Sequence, residues 1–172
     1  MNKFTNCVNT VLLVLMVTVS LQAQVHIVGH ISAEVVSPLE ATETAQLNFG
    51  RFSPEKAGGQ IILTPKGVAS STGTVSVISG THNPGSFSIC GVPEAIISVQ
   101  LPEGPTTLTN SANSGTMIVS NWSSEPPQKD NMTISANGAR EFNIGATLEV
   151  GNIHDNPVGM YSGTYHITFN YN

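Results

Sequence analysis

The sequence predicts an all-β protein, an antiparallel immunoglobulin-like β-sandwich that follows an N-terminal signal peptide. Three observations support this fold class. Helical periodicity is almost absent after the first 23 residues, short stretches alternate apolar with polar residues, and Gly, Pro, Asn and Ser separate those stretches. Many short strands with no helices between them are typical of an antiparallel sandwich or barrel, and about 150 residues with seven to ten strands favour the sandwich.

Residues 1–23 are predicted to be a secretory signal peptide. Lys3 gives a short positive start, and residues 11–19 (VLLVLMVTV) form an apolar run that is too short to span a bilayer comfortably. Ala23 then offers a small residue for cleavage. An uncleaved N-terminal anchor is the alternative. We therefore expect residues 24–172 to form a single exported β-sandwich domain without a membrane span, located in the periplasm, at the cell surface or outside the cell.

The first alternating stretch covers residues 25–36 (VHIVGHISAEVV). Its apolar set is Val25, Ile27, Gly29, Ile31, Ala33 and Val35. The simpler interpretation is that this stretch is the first strand of the domain, because any half-buried strand alternates in this way. The other interpretation is a donor arm that pairs with a second subunit, with Gly29 placed where a shallow pocket has no room for a side chain.

Further strands are predicted along the rest of the chain, each bounded by residues that favour turns. They cover residues 46–52, 60–65, 73–79, 86–91, 95–101, 116–122, 131–135 and 140–150. Residues 123–130 (SSEPPQKD) are predicted to be a surface loop, since two prolines cannot donate hydrogen bonds to a sheet.

The closing stretch has the clearest alternation. Residues 161–171 place Tyr165, Ile167, Phe169 and Tyr171 on one side and only polar side chains on the other. We expect the apolar side to be buried and to hold this strand in place. Together with Val25, Ile27, Gly29 and Ile31, these four residues are the candidates for strand pairing.

Composition and motifs give no support to an enzyme. The formal net charge is −5 and charged residues make up 10% of the chain, so there is no basic surface for nucleic acid or anionic lipid. The sequence has no G-x-S-x-G nucleophile motif and no glycine-rich phosphate loop. We therefore expect no catalytic residues and no cofactor.

Histidine, cysteine and tryptophan give only weak site candidates. His26, His30 and His166 could approach each other if the first and last strands were neighbours, but solvated histidines explain them better than a zinc site. Cys90 is expected to be a small buried hydrophobic residue. Trp122, the only tryptophan, is a weak candidate for ligand binding, for example to carbohydrate.

Five motifs occur in an order that resembles a known family. They are LNFG (47–50), PKG (65–67), FSICG (87–91), FNIGATLEV (142–150) and GMYSGTYHITFNY (159–171). This set is similar to the secreted bacterial family called domain of unknown function 4402, which implies no established activity. The order of strands also resembles, more loosely, archaic chaperone–usher pilins and spore-coat-U-like proteins.

The looser resemblance implies an immunoglobulin-like subunit that lacks one strand, which a chaperone and then a neighbouring subunit supply. The sequence departs from those pilins because Cys90 has no partner for their usual disulfide and because little chain precedes residues 25–36 to serve as an arm.

The expected function is that of an exported structural or adhesive, pilin-like protein that acts through strand pairing. Its partner would be another copy, another exported β-sandwich subunit or a periplasmic chaperone, and not a nucleic acid. The alternative is a self-complete secreted sandwich that works as a binding module.

Overall fold

The computed structural model describes residues 24–78, 80 and 82–172, so the predicted signal peptide lies outside the described residues. The chain forms two units, Met1–Val35 and Val36–Asn172. The described part of the first unit contains no strand. The second unit is built from eleven strands, with no helix among the residues that the structure describes.

The strands follow one another with short connections. Their bounds are β1 Glu40–Ala45, β2 Arg51–Leu63, β3 Ala69–Ile78, β4 Gly85–Cys90, β5 Ile96–Gln100, β6 Thr106–Asn110, β7 Thr116–Glu125, β8 Met132–Thr133, β9 Ala139–Val150, β10 Tyr161–Ser162 and β11 Thr168–Tyr171.

Strand β9 is the centre of the larger sheet. Along one side, its first half pairs with β4 and its second half pairs with β2, while β7 runs along the other side. Outward from these, β1 pairs with β4, β3 with β2, β6 with β7 and β10 with β6. The smaller sheet has the order β11-β5-β8. Every pairing between the described strands is antiparallel, as predicted from the many short strands with no helices between them.

Two apolar clusters form the core; the strand residues of the first all belong to the larger sheet, whereas the second joins residues of both sheets. The first contains Ile61, Val119 and Leu148, and the second contains Ile89, Phe142 and Ile144. Trp122 is half-buried and packs against both clusters. This arrangement confirms the predicted class, an all-β antiparallel sandwich.

The first predicted strand is the main difference from the sequence analysis. Residues 25–36 form no strand and lie exposed, so the interpretation as the first strand of the domain is wrong for this structure. The first strand is β1 instead. The alternation of residues 25–36 has the period of a strand, but a strand also needs a neighbouring strand with which to pair.

Two strands had no signal in the sequence. Strand β1 (EATETA) has one half-buried residue, Ala45, and strand β6 (TTLTN) lies near the edge of its sheet. Strand β1 therefore needs no apolar alternation, and in β6 the inward positions are Thr106, Leu108 and Asn110, of which only Leu108 is apolar. Strand β7 also extends through residues 123–125, which were predicted to be loop, because Ser123 and Ser124 pair with β9. It stops before Pro126, which has no backbone donor.

The position of Cys90 also differs from the prediction. In β4 the side chains of Phe87 and Ile89 point inward, since Ile89 and, four residues before it, Gly85 are buried and alternate with more exposed residues. Cys90 follows Ile89 and therefore points outward, where its thiol is free and exposed.

Candidate strand-pairing site

Residues 24–35 present apolar side chains directly to solvent. Val25 is 81% exposed, Ile27 87% and Ile31 99%. A side chain placed at Gly29 would have no atom of the described structure within 4 Å. The segment therefore has the residue pattern of a half-buried strand, but its side chains are exposed. Large exposed apolar side chains in a row are typical of a surface that another molecule covers.

The closing stretch has the predicted alternation. Tyr165, Ile167, Phe169 and Tyr171 are half-buried and pack against the second apolar cluster, while His166, Thr168 and Asn170 are exposed. The structure divides this stretch into β10, which pairs with β6, and β11, which pairs with β5. The four closing-strand candidates thus lie together on one side of one continuous segment.

Strand β11 has a free edge in the described part of the chain. It pairs only with β5, and the amide of Asn172 continues the pairing by donating to the carbonyl of Ile96 over 3.0 Å. In an antiparallel pair, alternate residues direct their backbone groups to the same neighbour. The backbone groups of Phe169 and Tyr171 therefore point away from β5, toward the free edge.

Strand β1 has a second free edge, and its inner face is open. Ala41 lies opposite Ile89 and Glu43 lies opposite Phe87, so both point toward the interior of the sandwich. Ile89 is completely buried, yet Ala41 and Glu43 are both exposed. An exposed inner face next to a buried neighbour means that, among the described residues, no strand of the other sheet covers β1.

Aromatic side chains fill the interior between these two edges. Phe87 contacts Tyr165 and Phe169, with ring centroids 6.5 and 6.4 Å apart. Phe169 also meets Phe142 edge to face, at 5.4 Å. Such pairs stabilise by about 0.5–1.5 kcal/mol beyond the area that they bury. They hold the closing strand against the larger sheet, although Phe87, Tyr165 and Phe169 stay partly exposed.

Tyr171 joins the two edges at one end. Its hydroxyl accepts a hydrogen bond from the amide of Val92 over 2.9 Å and donates one to the carbonyl of Ser37 over 3.2 Å. Leu39, which directly precedes β1, packs into the same cluster. We call the region between β1 and residues 165–171 the open edge. Its apolar side chains are Leu39, Ala41, Phe87, Tyr165, Ile167, Phe169 and Tyr171.

The hydroxyl of Tyr165 is the unusual polar group at the open edge. It is buried, and no residue that the structure describes forms a hydrogen bond with it. Burial raises the pKa of Tyr165 to about 12, and the negative charge of Glu43 adds to the increase. Glu43, on the inner face of β1, is thus the charged side chain that affects the pKa of Tyr165.

Trp122 is half-buried within the fold. Its indole N–H donates to the carbonyl of Gly104 over 3.1 Å, and its ring lies 5.0 Å from that of Tyr165. The tryptophan predicted as a weak ligand site therefore links the two apolar clusters.

The other candidate chemistry of the sequence does not come together. His26, His30 and His166 are all exposed, and no group of three possible metal ligands exists among the described residues. No helix in the described part of the chain has the length and hydrophobicity to cross a membrane.

An open depression of about 650 Å³ lies between β2, β3 and β7 and is lined in part by Asn156. The amide group of Asn156, which is 5% exposed, donates to the carbonyl of Thr116 over 2.6 Å and accepts from the amide of Gly151. This side chain holds the turn after β9 in place and is not available to a ligand.

The sequence predicted the residues on one side of the open edge, those of the closing stretch, and missed those of β1. Tyr165, Ile167, Phe169 and Tyr171 were predicted from their alternation. Ala41 and Glu43 were missed because β1 is exposed on both faces and therefore carries no apolar pattern.

One comparison with known proteins gave a match. The model of a family described as Domain of unknown function (DUF4402) matches residues 39–171. No curated protein and no solved structure matches the chain. The matched region begins directly before β1 and ends with β11, so it contains the whole open edge and leaves out residues 25–36. The looser resemblance to pilins stays a prediction.

Proposed function

The chain belongs to the family of domain of unknown function 4402, and we propose that it is an exported structural or adhesive subunit that associates by β-strand addition. In this mode an extended segment joins the free edge of a sheet. Backbone hydrogen bonds supply affinity, and alternate side chains that enter the interior supply specificity. No catalytic step belongs to the proposal.

One observation carries this proposal: residues 25–35 have the alternation of a strand but are exposed. Three large side chains, Val25, Ile27 and Ile31, are each at least 81% exposed. Burying a Val or Ile side chain stabilises by about 1.5–3 kcal/mol. Covering this row against a sheet therefore provides several kcal/mol for association, against which the cost of ordering the segment must be set.

The free edges in the second unit support the same function. Unpaired edge strands expose donors and acceptors that can pair with another chain, and proteins commonly protect them by charge, bulges or proline. Strand β11 (TFNY) contains neither charge nor proline. An unprotected edge and an exposed strand-like segment in one chain are complementary features of strand addition.

The first experiment tests whether residues 25–35 drive association. The protein, expressed from its full-length sequence, would be analysed by size-exclusion chromatography and electron microscopy over a range of concentrations. We expect oligomers or filaments for the unmodified protein. The double variant Ile27→Asp, Ile31→Asp should lose them, because two carboxylates cannot be buried without partners.

A matched control uses the opposite face of the same segment. The double variant His26→Asp, His30→Asp introduces the same two carboxylates at positions that alternate with the apolar set. It should still associate. If the unmodified protein remains a monomer without fibres at every concentration, or if both variants behave alike, strand addition by this segment is not the function of the protein.

A further inference from the structure

We propose that the acceptor is the open edge of a second copy of this chain, and that Gly29 of the incoming segment faces Glu43. Residues 25–35 of one copy would lie along the free edge of β11 in the next copy and cover the inner face of its β1. This inference rests on the proposed function and adds the partner, the acceptor edge and the register.

The unequal extent of the two sheets identifies the acceptor. The larger sheet continues from β4 to β1, whereas the smaller sheet ends at β11. Ala41 and Glu43 therefore point toward the interior and remain exposed. One strand added beside β11 would cover both residues and the exposed parts of Phe87 and Phe169. It would also pair with the outward backbone groups of Phe169 and Tyr171.

The other long free edge is a poorer acceptor. Strand β3 pairs only with β2 among the described residues. Its stretch 70–74 (SSTGT) is exposed and carries no apolar side chain. An apolar segment would gain little burial there, because the contribution to binding scales with the apolar area that is covered.

A second copy is a better donor than the same chain. The chain passes through Val36–Leu39 into β1 without a turn. The carbonyl of Ser37 is held by Tyr171, and Leu39 packs against the second cluster. With Ser37 and Leu39 held, a turn back beside the same β11 would have to use residues 33–36 of the segment itself and would shorten the strand that it adds. Donation to the next copy leaves the segment at its full length.

Length and repetition also fit association between copies. Residues 25–35 and residues 161–171 are each eleven residues long. In an extended conformation the segment spans about 36 Å, which is enough to run along all four residues of β11 and beside residues 163–167. Each copy carries one segment and one open edge, so addition proceeds head to tail.

The side chains on the two surfaces suggest the register. The inner face of β1 carries a small residue, Ala41, followed by a larger charged one, Glu43. The incoming set has Gly29 between Ile27 and Ile31. Apolar contact over Glu43 would bury its carboxylate without water, which is unfavourable. Gly29 is the member of the set that brings no side chain, so it suits Glu43, while an isoleucine covers Ala41.

In this register the hydroxyl of Tyr165 also gains a hydrogen-bond partner. Tyr165 and Glu43 are close enough for the charge of Glu43 to affect the tyrosine. Once a strand excludes water from the open edge, a hydrogen bond from the phenol to the carboxylate satisfies both groups. Charge-assisted bonds of this kind are stronger than neutral ones.

An exchange of side-chain size tests the register. Gly29→Leu should weaken association by about tenfold or more, because overpacking is costly. Adding Glu43→Ala should restore most of the association by making room. Ser32→Leu, which adds the same side chain on the opposite face of the segment, should have little effect. Failure of Glu43→Ala to restore association of the Gly29→Leu protein would overturn the register.

Disulfide trapping between copies tests the acceptor edge. In a Cys90→Ser background, a copy with His30→Cys is mixed with copies carrying Thr164→Cys or His166→Cys, next to Tyr165. We expect a cross-linked dimer with these, and none with Ser71→Cys on β3. A cross-link to β3 alone would overturn this acceptor while leaving strand addition intact. Association unaffected by Ile27→Asp, Ile31→Asp would instead contradict the proposed function itself.

Discussion

Tyr165 combines a packed aromatic ring and a buried hydroxyl in one side chain. Its ring lies tilted against Trp122 at 5.0 Å and meets Phe87 edge to face at 6.5 Å, so it joins residues that pack in both apolar clusters. Its hydroxyl has no hydrogen-bond partner among the described residues. A buried phenol in this position must stay protonated, because its anion would lose hydration and would lie near Glu43.

The ionisation of Tyr165 predicts a loss of stability at high pH. Its pKa is raised from 10.0 to about 12 in the folded protein. The unfolded state therefore loses this proton first as the pH rises. The stabilisation is complete below about pH 10 and is lost as the pH rises through about 12. Urea unfolding at pH values across this window, followed by circular dichroism, measures the change.

Tyr165→Phe is the matched variant for this measurement. It keeps the ring and removes the ionisable group, so the free energy of unfolding should fall less steeply with pH over the same window. Near neutral pH the variant should be as stable as the unmodified protein or more stable, because it removes a buried hydroxyl that lacks a partner. Equal slopes for the two proteins would contradict this account of Tyr165.

At the scale of elements, β9 determines how the larger sheet is divided. Along one side of β9 the neighbouring strand changes from β4 to β2 at Gly145. Ile144 is the last residue that pairs with β4, opposite Gly85, and Ala146 is the first that pairs with β2, opposite Leu63. A Cβ atom at Gly145 would overlap the carbonyl oxygen of Leu63. Glycine is required here because the backbone of the next segment approaches too closely for a side chain.

Gly145→Ala should therefore destabilise the fold. The methyl group meets backbone atoms, which cannot rotate away, so we expect a loss of about 1–3 kcal/mol in the free energy of unfolding. Gly104→Ala is the control, since a Cβ there has nothing within 4 Å. It should be neutral or slightly stabilising. Urea denaturation midpoints compare the two, and similar midpoints would show that β9 accommodates a side chain at Gly145.

Strand prediction succeeded where one face carries buried apolar side chains and failed where it does not. Alternation located most of β4, β5, β7 and β9, whose inner residues are buried. It missed β1, where pairing with β4 fixes the strand and the side chains contribute little burial. It also assigned a strand to residues 25–36, where the pattern is present but the described structure contains no partner.

At the scale of the whole molecule, the second unit is a sandwich with one incomplete side. Half-buried side chains border both clusters, and those of the second cluster include Phe87 and the four closing-strand residues at the open edge. Under the proposed assembly, this side is completed by the next copy, so stability depends on how many copies have associated.

This dependence predicts a melting temperature that rises with protein concentration. Association that favours the folded state stabilises it by mass action. Thermal unfolding over a wide concentration range should show the rise for the unmodified protein and for His26→Asp, His30→Asp. For Ile27→Asp, Ile31→Asp the melting temperature should be constant. A constant value for all three proteins would contradict stabilisation by a neighbouring copy.

The sequence by itself determined the class of the fold, most of the strands and the buried side of the closing stretch, because period-two alternation is a direct record of which side chains meet the interior. The tertiary structure decided which strands pair with each other, which an alternation pattern does not specify. In the tertiary structure β1 lies at the edge of the larger sheet with its inner face uncovered, and Cys90 lies on the outward side of β4. Residues 25–36 have no pairing partner in the described structure, and a strand forms only where another backbone is available to bond with it.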